Sequence, residues 1–217
     1  MTESGSPTAT PSKGDEWDLG SPTPQAVIDE LGFDPATLPD APPEPTPEQQ
    51  AVLDEAEAAY GARDFKTAHD LWLPLAEAGV AEAQYRIGRL YRKGNGKTQS
   101  DDLAFNWYSK AASFGHINSL FNISYFLSLD NFYKKNYIAS AIILYYLAKK
   151  GDDDAKINLG LLLMTGRGVP QNPITAYKWF YLAGSSGYEV RQRFMMFTTV
   201  EQRIAGRKAA DYPTNSD

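Results

Sequence analysis

The sequence repeats itself with a period of 36 residues. One glycine closes each period, at Gly79, Gly115, Gly151 and Gly187. Between these glycines, small and apolar residues recur at three- and four-residue spacing, which is the pattern of amphipathic α-helices. Units of this size bury their apolar faces by stacking on their neighbours. The period therefore predicts an all-α fold, a right-handed solenoid of antiparallel helix pairs.

The pairs are predicted over residues 47–80, 81–116, 117–152 and 153–188. Ser100 and Asn172 are expected to cap second helices of the pairs, and Gly115, Gly151 and Gly187 are expected to end them. Residues 189–217 are predicted to form a capping helix and a tail, with a capping box at residues 198–201.

Two further sets of positions have expected packing roles. The small residues of facing helices are Gly88, Ser124 and Gly160 in the first helices, and Ala104, Ser140 and Ala176 in the second. A glycine within a helix costs ~1 kcal/mol relative to alanine, so its recurrence indicates close packing of the two backbones. Trp107 and Trp179 are expected to fill the space between successive pairs.

Residues 1–46 have a different composition. Pro, Gly, Ser and Thr make up 23 of these 46 residues, and nine acidic residues against one lysine give the segment a charge of −8. So few apolar side chains cannot offset the entropy of ordering, which predicts a disordered tail. Within it, residues 24–31 match a short helix, with Gly32 as its C-terminal stop. That helix is either transient or a motif that folds on a partner.

Charge and composition disfavour several functions. The whole chain carries −6, which is unfavourable for general binding of nucleic acid or anionic membrane. It has no cysteine, and its two histidines, His69 and His116, are expected to be structural. No apolar run reaches the ~20 residues of a membrane span, and no secretory signal is visible in the first ten residues. A cytoplasmic protein without cofactor or metal is therefore expected.

Two motifs that mimic ligand sites are interpreted as structural. Gly96-Lys97-Thr98 matches the end of a phosphate-binding loop, but Tyr91 occupies the position of the first glycine that this motif requires. Asp152-Asp153-Asp154 lacks the twelve-residue spacing of a calcium-binding EF-hand. These acids are expected in the first turn of a helix, where the helix dipole favours them.

The repeat resembles the Sel-one-like repeat (SLR), a relative of the tetratricopeptide repeat. The resemblance depends on [IL]-G-x-[LI]-[YL]-x-x-G-x-G followed by A-x-x-W-[YF]-x-x-A, which is matched well over residues 81–116 and 153–188. The match is weak over 117–152, where Asp130 and Phe132 replace the loop glycines. The resemblance implies a non-catalytic adaptor for assembly or signalling.

The resemblance also implies that first helices line a concave face that contacts a ligand. Carrying these positions over predicts that the face grades from basic, through aromatic, to apolar. The predicted partner-binding residues are Tyr85, Arg89, Arg92, Lys93, Phe121, Tyr125, Ile157, Leu161 and Met164. The alternative is that Phe121, Ile157 and Leu161 are simply core residues.

The favoured function is a protein-interaction scaffold that binds a partner protein or peptide and is not an enzyme. A regulator or enzyme of bacterial cell-envelope metabolism is the second alternative, and a nucleic-acid-binding repeat protein the third. The suitable peptide carries acidic residues near one end and apolar anchors at the other. The chain's own tail meets this description at Val27, Ile28 and Leu31, beside Asp29 and Glu30, so an intramolecular contact with the concave face is predicted. A homodimer through an exposed end of the array is also possible.

Overall fold

The computed structural model describes residues 28, 29, 31–132 and 136–211, and all its regular secondary structure is helical. The helix pairs are α1 (Pro47–Gly61) with α2 (Phe65–Glu77), α3 (Ala81–Lys93) with α4 (Asp101–Ala112), α5 (Ile117–Ser128) with α6 (Tyr137–Lys149), and α7 (Asp153–Thr165) with α8 (Pro173–Leu182). Two further helices follow, the short α9 (Tyr188–Phe194) and α10 (Val200–Asp211). Each helix of α1–α8 packs against the next in sequence, which confirms the predicted all-α solenoid.

Local sequence signals fix most helix ends. Ser100 Oγ accepts a hydrogen bond from the backbone N–H of Leu103 at 3.2 Å, and Asn172 Oδ1 accepts one from that of Thr175 at 3.0 Å. Both predicted caps are therefore confirmed. Of the α-helices whose ends lie in the described residues, none is long and apolar enough to cross a membrane.

The glycines that recur at equivalent positions of α3 and α7 make room for aromatic rings rather than for a neighbouring backbone. A Cβ atom at Gly88 would lie 2.7 Å from Cε1 of Tyr108, and one at Gly160 would lie 2.7 Å from Cδ1 of Phe180. The expected backbone approach is therefore corrected: each glycine receives a ring from the second helix of its own pair. Both rings are fully buried.

The middle pair solves the same packing problem differently. Ser124 stands at the glycine position and Leu144 at the position of the ring. The hydroxyl of Ser140 donates a 2.8 Å hydrogen bond to the backbone oxygen of Ser124, which satisfies a buried polar group. A smaller aliphatic side chain opposite serine thus keeps the pair close without a glycine.

The two tryptophans differ in burial. Trp179 is 6% exposed and its ring meets that of Tyr145 edge-on, with centroids 5.9 Å apart. Trp107 is only partly buried, and Lys110 Nζ lies 4.1 Å from its ring centroid. Trp179 is therefore a core residue, as expected. Trp107 lies at the margin of the core, because the adjacent Tyr108 takes the interior position.

Residues 31–40, which we call the N-terminal strap, are ordered against the solenoid. Leu31 and Phe33 are buried in the main core, at 4% and 8% exposure. The strap therefore corrects the prediction that all of residues 1–46 are disordered; Pro35 is buried as well, and Leu38 packs against the same core. Residues 1–27 and 30 lie outside the described residues, and with them most of the predicted 24–31 helix. Its described residues are helical, and Gly32 has the positive φ of the predicted stop.

The strap lies along the second helices. Its short 3₁₀ turn (Pro35–Thr37) contacts α6. The carbonyl of Pro39 lies so close to Gly115 that a side chain there would collide with it. Asp40 pairs with Lys150 at 2.5 Å, and this hydrogen bond lowers the pKa of Asp40. The strap thus connects the ends of two second helices, α4 and α6.

The C-terminal region closes the array. Helix α10 packs on α8, where the backbone of Gly206 approaches the carbonyl of Ile174. The capping box is real but lies one residue later than predicted: Thr199 and Gln202 exchange hydrogen bonds of 2.9 and 3.2 Å.

The end of α8 departs from the predicted period. Helix α8 stops at Leu182, and Gly184, with φ of 57°, follows it. Gly187, with φ of −81°, is not the C-terminal stop that the period predicted. It is glycine for a different reason, because a Cβ atom there would collide with the carbonyl of Phe180.

Candidate protein-interaction site

An open cleft lies between the first helices α5 and α7. Its volume is about 300 Å³, and α6 contributes to its wall. The lining residues are Phe121, Ser124, Tyr125, Ser128, Tyr137, Leu144, Asn158, Leu161, Leu162, Thr165 and Arg167. Tyr125 is 43% exposed although it is large and aromatic. The cleft therefore offers solvent an aromatic and aliphatic surface with polar groups around it, which suits the apolar side chain of a ligand.

We call the surface formed by α1, α3, α5 and α7 the first-helix face. Its basic part comes from α3 and continues directly from the cleft. The guanidinium of Arg92 lies 4.7 Å from the ring centroid of Tyr125 and donates a hydrogen bond to Asn122. Arg89 stacks in the other direction, 5.4 Å from the ring of Tyr60 on α1. These contacts hold the two cations against aromatic rings along three consecutive first helices.

Neither Arg89 nor Arg92 has a carboxylate partner among the residues that the structure describes. Arg86, one turn earlier on the same helix, differs: it pairs with Glu57 at 2.9 Å and with Glu82 at 2.6 Å. The positive charge of Arg86 is thus balanced by neighbouring carboxylates. Arg89, Arg92 and Lys93, in the last turns of α3, add positive charge to the surface. Such guanidinium groups can bind a carboxylate through paired hydrogen bonds.

Hydrogen bonds among His116, Glu82 and Arg86 connect α3 to the start of α5. His116 caps α5, since its Nδ1 accepts a 3.2 Å hydrogen bond from the backbone of Ser119. Its Nε2 lies 3.0 Å from a carboxylate oxygen of Glu82. The hydrogen bond from His116 lowers the pKa of Glu82 to about 2, with Arg86 adding to the effect and burial opposing it. His116 is therefore structural, as predicted; its partner lies 34 residues away in sequence.

The structure brings together several of the predicted partner-binding residues. Phe121, Tyr125 and Leu161 all line the cleft, and Arg92 touches Tyr125 from its other side. Tyr85 is partly buried, with its ring 4.8 Å from that of His116, and Lys93 is exposed at the end of α3. These positions are compatible with the predicted face.

Two predicted residues do not fit as well. Met164 is 5% exposed and belongs to the core, so it is not available to a partner. The prediction failed there because α7 buries Leu163 and Met164 side by side, which a single repeat register does not anticipate. Ile157 is partly buried and does not line the cleft. The apolar part of the face is therefore represented by Leu161.

Sequence reasoning missed the cleft residues contributed by α6 and by the loop after α7. Tyr137 and Leu144 belong to a second helix, and Arg167 to a loop, whereas the prediction considered only first helices. Asn122, which receives the hydrogen bond from Arg92, was also missed. Its position three residues before Tyr125 on α5 was the available signal.

The two motifs that mimic ligand sites, at residues 96–98 and 152–154, lie in an interhelical loop and at the start of a helix. Gly96 and Lys97 lie in the loop between α3 and α4, next to Phe65. Asp152 caps α7 by accepting a 2.7 Å hydrogen bond from the backbone of Ala155. Within the described ranges, no group of three or more histidine and acidic side chains could hold a metal ion. Burial raises the pKa of Tyr108 to about 12, so this phenol stays protonated in its packing role.

Residues 81–116 and 153–188 match the Sel1 repeat family. A curated relative, an exopolysaccharide production negative regulator from Rhizobium leguminosarum bv. viciae, is 29% identical over 144 residues. That alignment covers 60% of this chain and 54% of the relative, so the chain spans about half the length of that protein.

Solved structures of Sel1 repeat proteins are similar to this chain, and the first of the following two supports the same fold. The crystal structure of a Sel1 repeat protein from Oxalobacter formigenes is similar with a TM-score of 0.59 and 24% identity, covering 65% of this chain and 60% of that one. A protective antigen of uropathogenic Escherichia coli with an SLR fold gives a TM-score of 0.41 and 16% identity, covering 75% of this chain and 52% of the antigen.

Proposed function

Because residues 81–116 and 153–188 are Sel1 repeats, we propose that this protein is a non-catalytic scaffold that binds a segment of a partner protein on its first-helix face. The observation that carries the proposal is the juxtaposition at Tyr125. This side chain is 43% exposed and lines the α5–α7 cleft on one side. On its other side it contacts Arg92, which has no carboxylate partner among the described residues. Exposed aromatic side chains and arginines are enriched in interface hot spots.

The chemistry of the face defines the partner segment. An apolar side chain fits the cleft between Phe121 and Leu161, and a carboxylate within a few residues of it would reach Arg92 and Arg89. The partner is therefore a peptide segment in which acidic residues adjoin an aromatic or aliphatic anchor. Buried apolar area would supply most of the affinity, and the arginines would supply orientation.

Affinity capture from the native cell with matched variants tests the proposal. Tyr125→Ala combined with Leu161→Ala removes the anchor surface, whereas Leu103→Ala is the control. Leu103 is 42% exposed, nearly as much as Tyr125, but lies on the second helix α4. We expect the double variant to lose specific partners by about tenfold or more, as for hot-spot truncation, and the control to retain them. Equal recovery with all three proteins would contradict the proposal.

A second candidate is suggested by the rhizobial relative, whose name is that of a negative regulator of exopolysaccharide production. We propose that this chain could serve such a regulatory role by the same mode of binding. A deletion strain should then overproduce envelope polysaccharide, and the wild-type chain, but not the Tyr125→Ala, Leu161→Ala variant, should restore normal yield. Unchanged polysaccharide on deletion would remove this candidate.

The end of the array is a separate candidate for self-association. Met196 and Phe197 are 80% and 63% exposed, and Val200 and Ile204 continue the apolar surface onto the outer side of α10. The opposite side of α10 already packs on α8 through Gly206. We propose that a second copy stacks on this end. Light scattering should then show a dimer for the wild-type chain and a monomer for Met196→Lys combined with Phe197→Asp; a monomeric wild type would contradict it.

A further inference from the structure

The strap determines which part of the N-terminal region remains free to bind elsewhere. Leu31, the last apolar residue of the 24–31 motif, is buried in the main core at the start of the strap. This apolar anchor is therefore not available to the first-helix face, contrary to the sequence prediction. The part of the chain that precedes Ile28 is still a candidate, and it begins from a fixed point on the solenoid.

One segment of residues 1–27 combines apolar anchors with acids. Residues 15–19 read Asp-Glu-Trp-Asp-Leu, which places three carboxylates around Trp17 and a second apolar side chain, Leu19, directly after them. Apart from Met1 and Val27, these are the only large apolar side chains in residues 1–27. The segment has the composition that the first-helix face is suited to bind.

The charges and the shape of the face match this segment. Arg89 and Arg92 lack carboxylate partners within the described part of the chain, and Lys93 is exposed beside them. The neighbouring cleft, at about 300 Å³, can receive one indole side chain. The three acids around Trp17 are therefore complementary to the three cations next to the aromatic cleft.

We propose that residues 15–19 bind to the first-helix face of the same molecule, with Trp17 in the α5–α7 cleft and the flanking carboxylates on Arg89 and Arg92. The proposal rests on the first-helix face being a binding surface, but not on the identity of an external partner. A segment bound in this way occupies the site until a partner displaces it.

The length of the connection permits this contact. Eleven residues lead from Trp17 to Ile28, which span ~36 Å when extended. Neighbouring helix axes are ~10 Å apart, so this reach covers about three helix spacings. Tethering at such a distance gives an effective concentration in the millimolar range. Even a weak contact is then populated.

Nuclear magnetic resonance of the indole N–H of Trp17 in the full chain tests the proposal. Trp17→Phe assigns the signal, and a peptide of residues 12–21 gives its free position. In the wild-type chain, the signal should differ from that of the peptide. It should return to the free position in Arg89→Glu combined with Arg92→Glu, and also at about 1 M salt, where the screening length is ~3 Å.

Two comparisons separate binding from altered folding. Neutralising the tail (Asp15→Asn, Glu16→Gln, Asp18→Asn) leaves the solenoid sequence intact and should release Trp17 to the same extent. Lys110→Glu combined with Lys149→Glu makes the same change of charge on the second helices α4 and α6 and should leave the signal in place.

Three results would overturn the inference: a free-peptide signal in the wild-type chain, equal shifts in both charge-reversal pairs, or a shift that disappears on dilution. The last would indicate binding to a second copy. In each case the external partner-binding site can still be established by the capture experiment on Tyr125 and Leu161, so the two proposals fail separately.

Discussion

The ring of Phe180 lies against the backbone of Gly160, so closely that a Cβ atom there would come within 2.7 Å of its Cδ1 carbon. The same relationship joins Tyr108 to Gly88 two helix pairs earlier in the array, also at 2.7 Å for Cε1. A buried ring that seats on a glycine fixes how the two helices of a pair approach one another. These contacts position the first helices and therefore the face that they form.

Gly160→Ala should destabilise the solenoid, because Phe180 is fully buried and the added Cβ atom would overlap its ring. Overpacking costs ~1–3 kcal/mol, and the better helix propensity of alanine returns about 1 kcal/mol of this. Urea unfolding measures the difference. Gly61→Ala is the control, because nothing lies within 4 Å of a Cβ atom at that helical position. A Gly160→Ala variant as stable as the Gly61→Ala variant would contradict this packing.

Trp179→Ala and Trp107→Ala should differ in their effects. Trp179 is 6% exposed, so its loss should cost about 3–5 kcal/mol, as for buried aromatic residues generally. Trp107 is only partly buried, and its removal should cost about 1–2 kcal/mol since part of its surface already contacts water. Calorimetric melting of both variants decides this. Equal losses would mean that Trp107 is a core residue after all.

The repeat register was enough to predict the helices, most caps and part of the cleft. Phe121, Tyr125 and Leu161 were identified because equivalent positions of first helices face the same side. The register did not show whether Trp107 or Tyr108 enters the core. Successive residues on a helix differ by 100° in direction, and both are large and aromatic.

Contacts between distant residues could not be predicted from the repeat. Glu82 lies on α3, whereas His116, 34 residues later, caps α5 of the next pair. The strap was hidden by the composition of its surroundings, because it docks through a few apolar side chains, of which Leu31 and Phe33 are buried in the core. Composition describes an average over a segment, whereas docking depends on individual buried side chains.

Phe33→Ala should release the strap. Removing a buried phenylalanine costs about 3–5 kcal/mol. This cost cannot exceed the free energy with which the strap docks, because a detached strap has no further contacts to lose. The remaining helices should therefore stay folded. Hydrogen exchange measures this directly: the amide of Gly32, bonded to Ile28, and that of Thr37, bonded to Asp34, should lose protection. Exposed Pro43 gives the control variant Pro43→Ala. Unchanged protection in Phe33→Ala would show that the strap does not depend on this side chain.

The Glu82–His116 contact predicts a pH dependence of stability. The pKa of Glu82 is lowered from 4.5 to about 2, so its ionised form is stabilised in the folded protein. This contribution is fully present above pH ~4.5 and is lost as the pH falls toward 2, because the carboxylate then takes up a proton. Wild type should therefore exceed Glu82→Gln in stability at pH 7, and this difference should shrink at pH 3. A constant difference between these pH values in urea titrations would contradict the contact.

The central claim, that partners bind on the first-helix face, is tested most directly by photocrosslinking in the native cell. A photoreactive phenylalanine analogue is placed at Tyr125 in one variant and at Leu103, which is similarly exposed on α4, in the other. We predict a discrete crosslinked partner from position 125 and none from position 103. Crosslinking from position 103 alone would place the partner on the second helices and contradict the account.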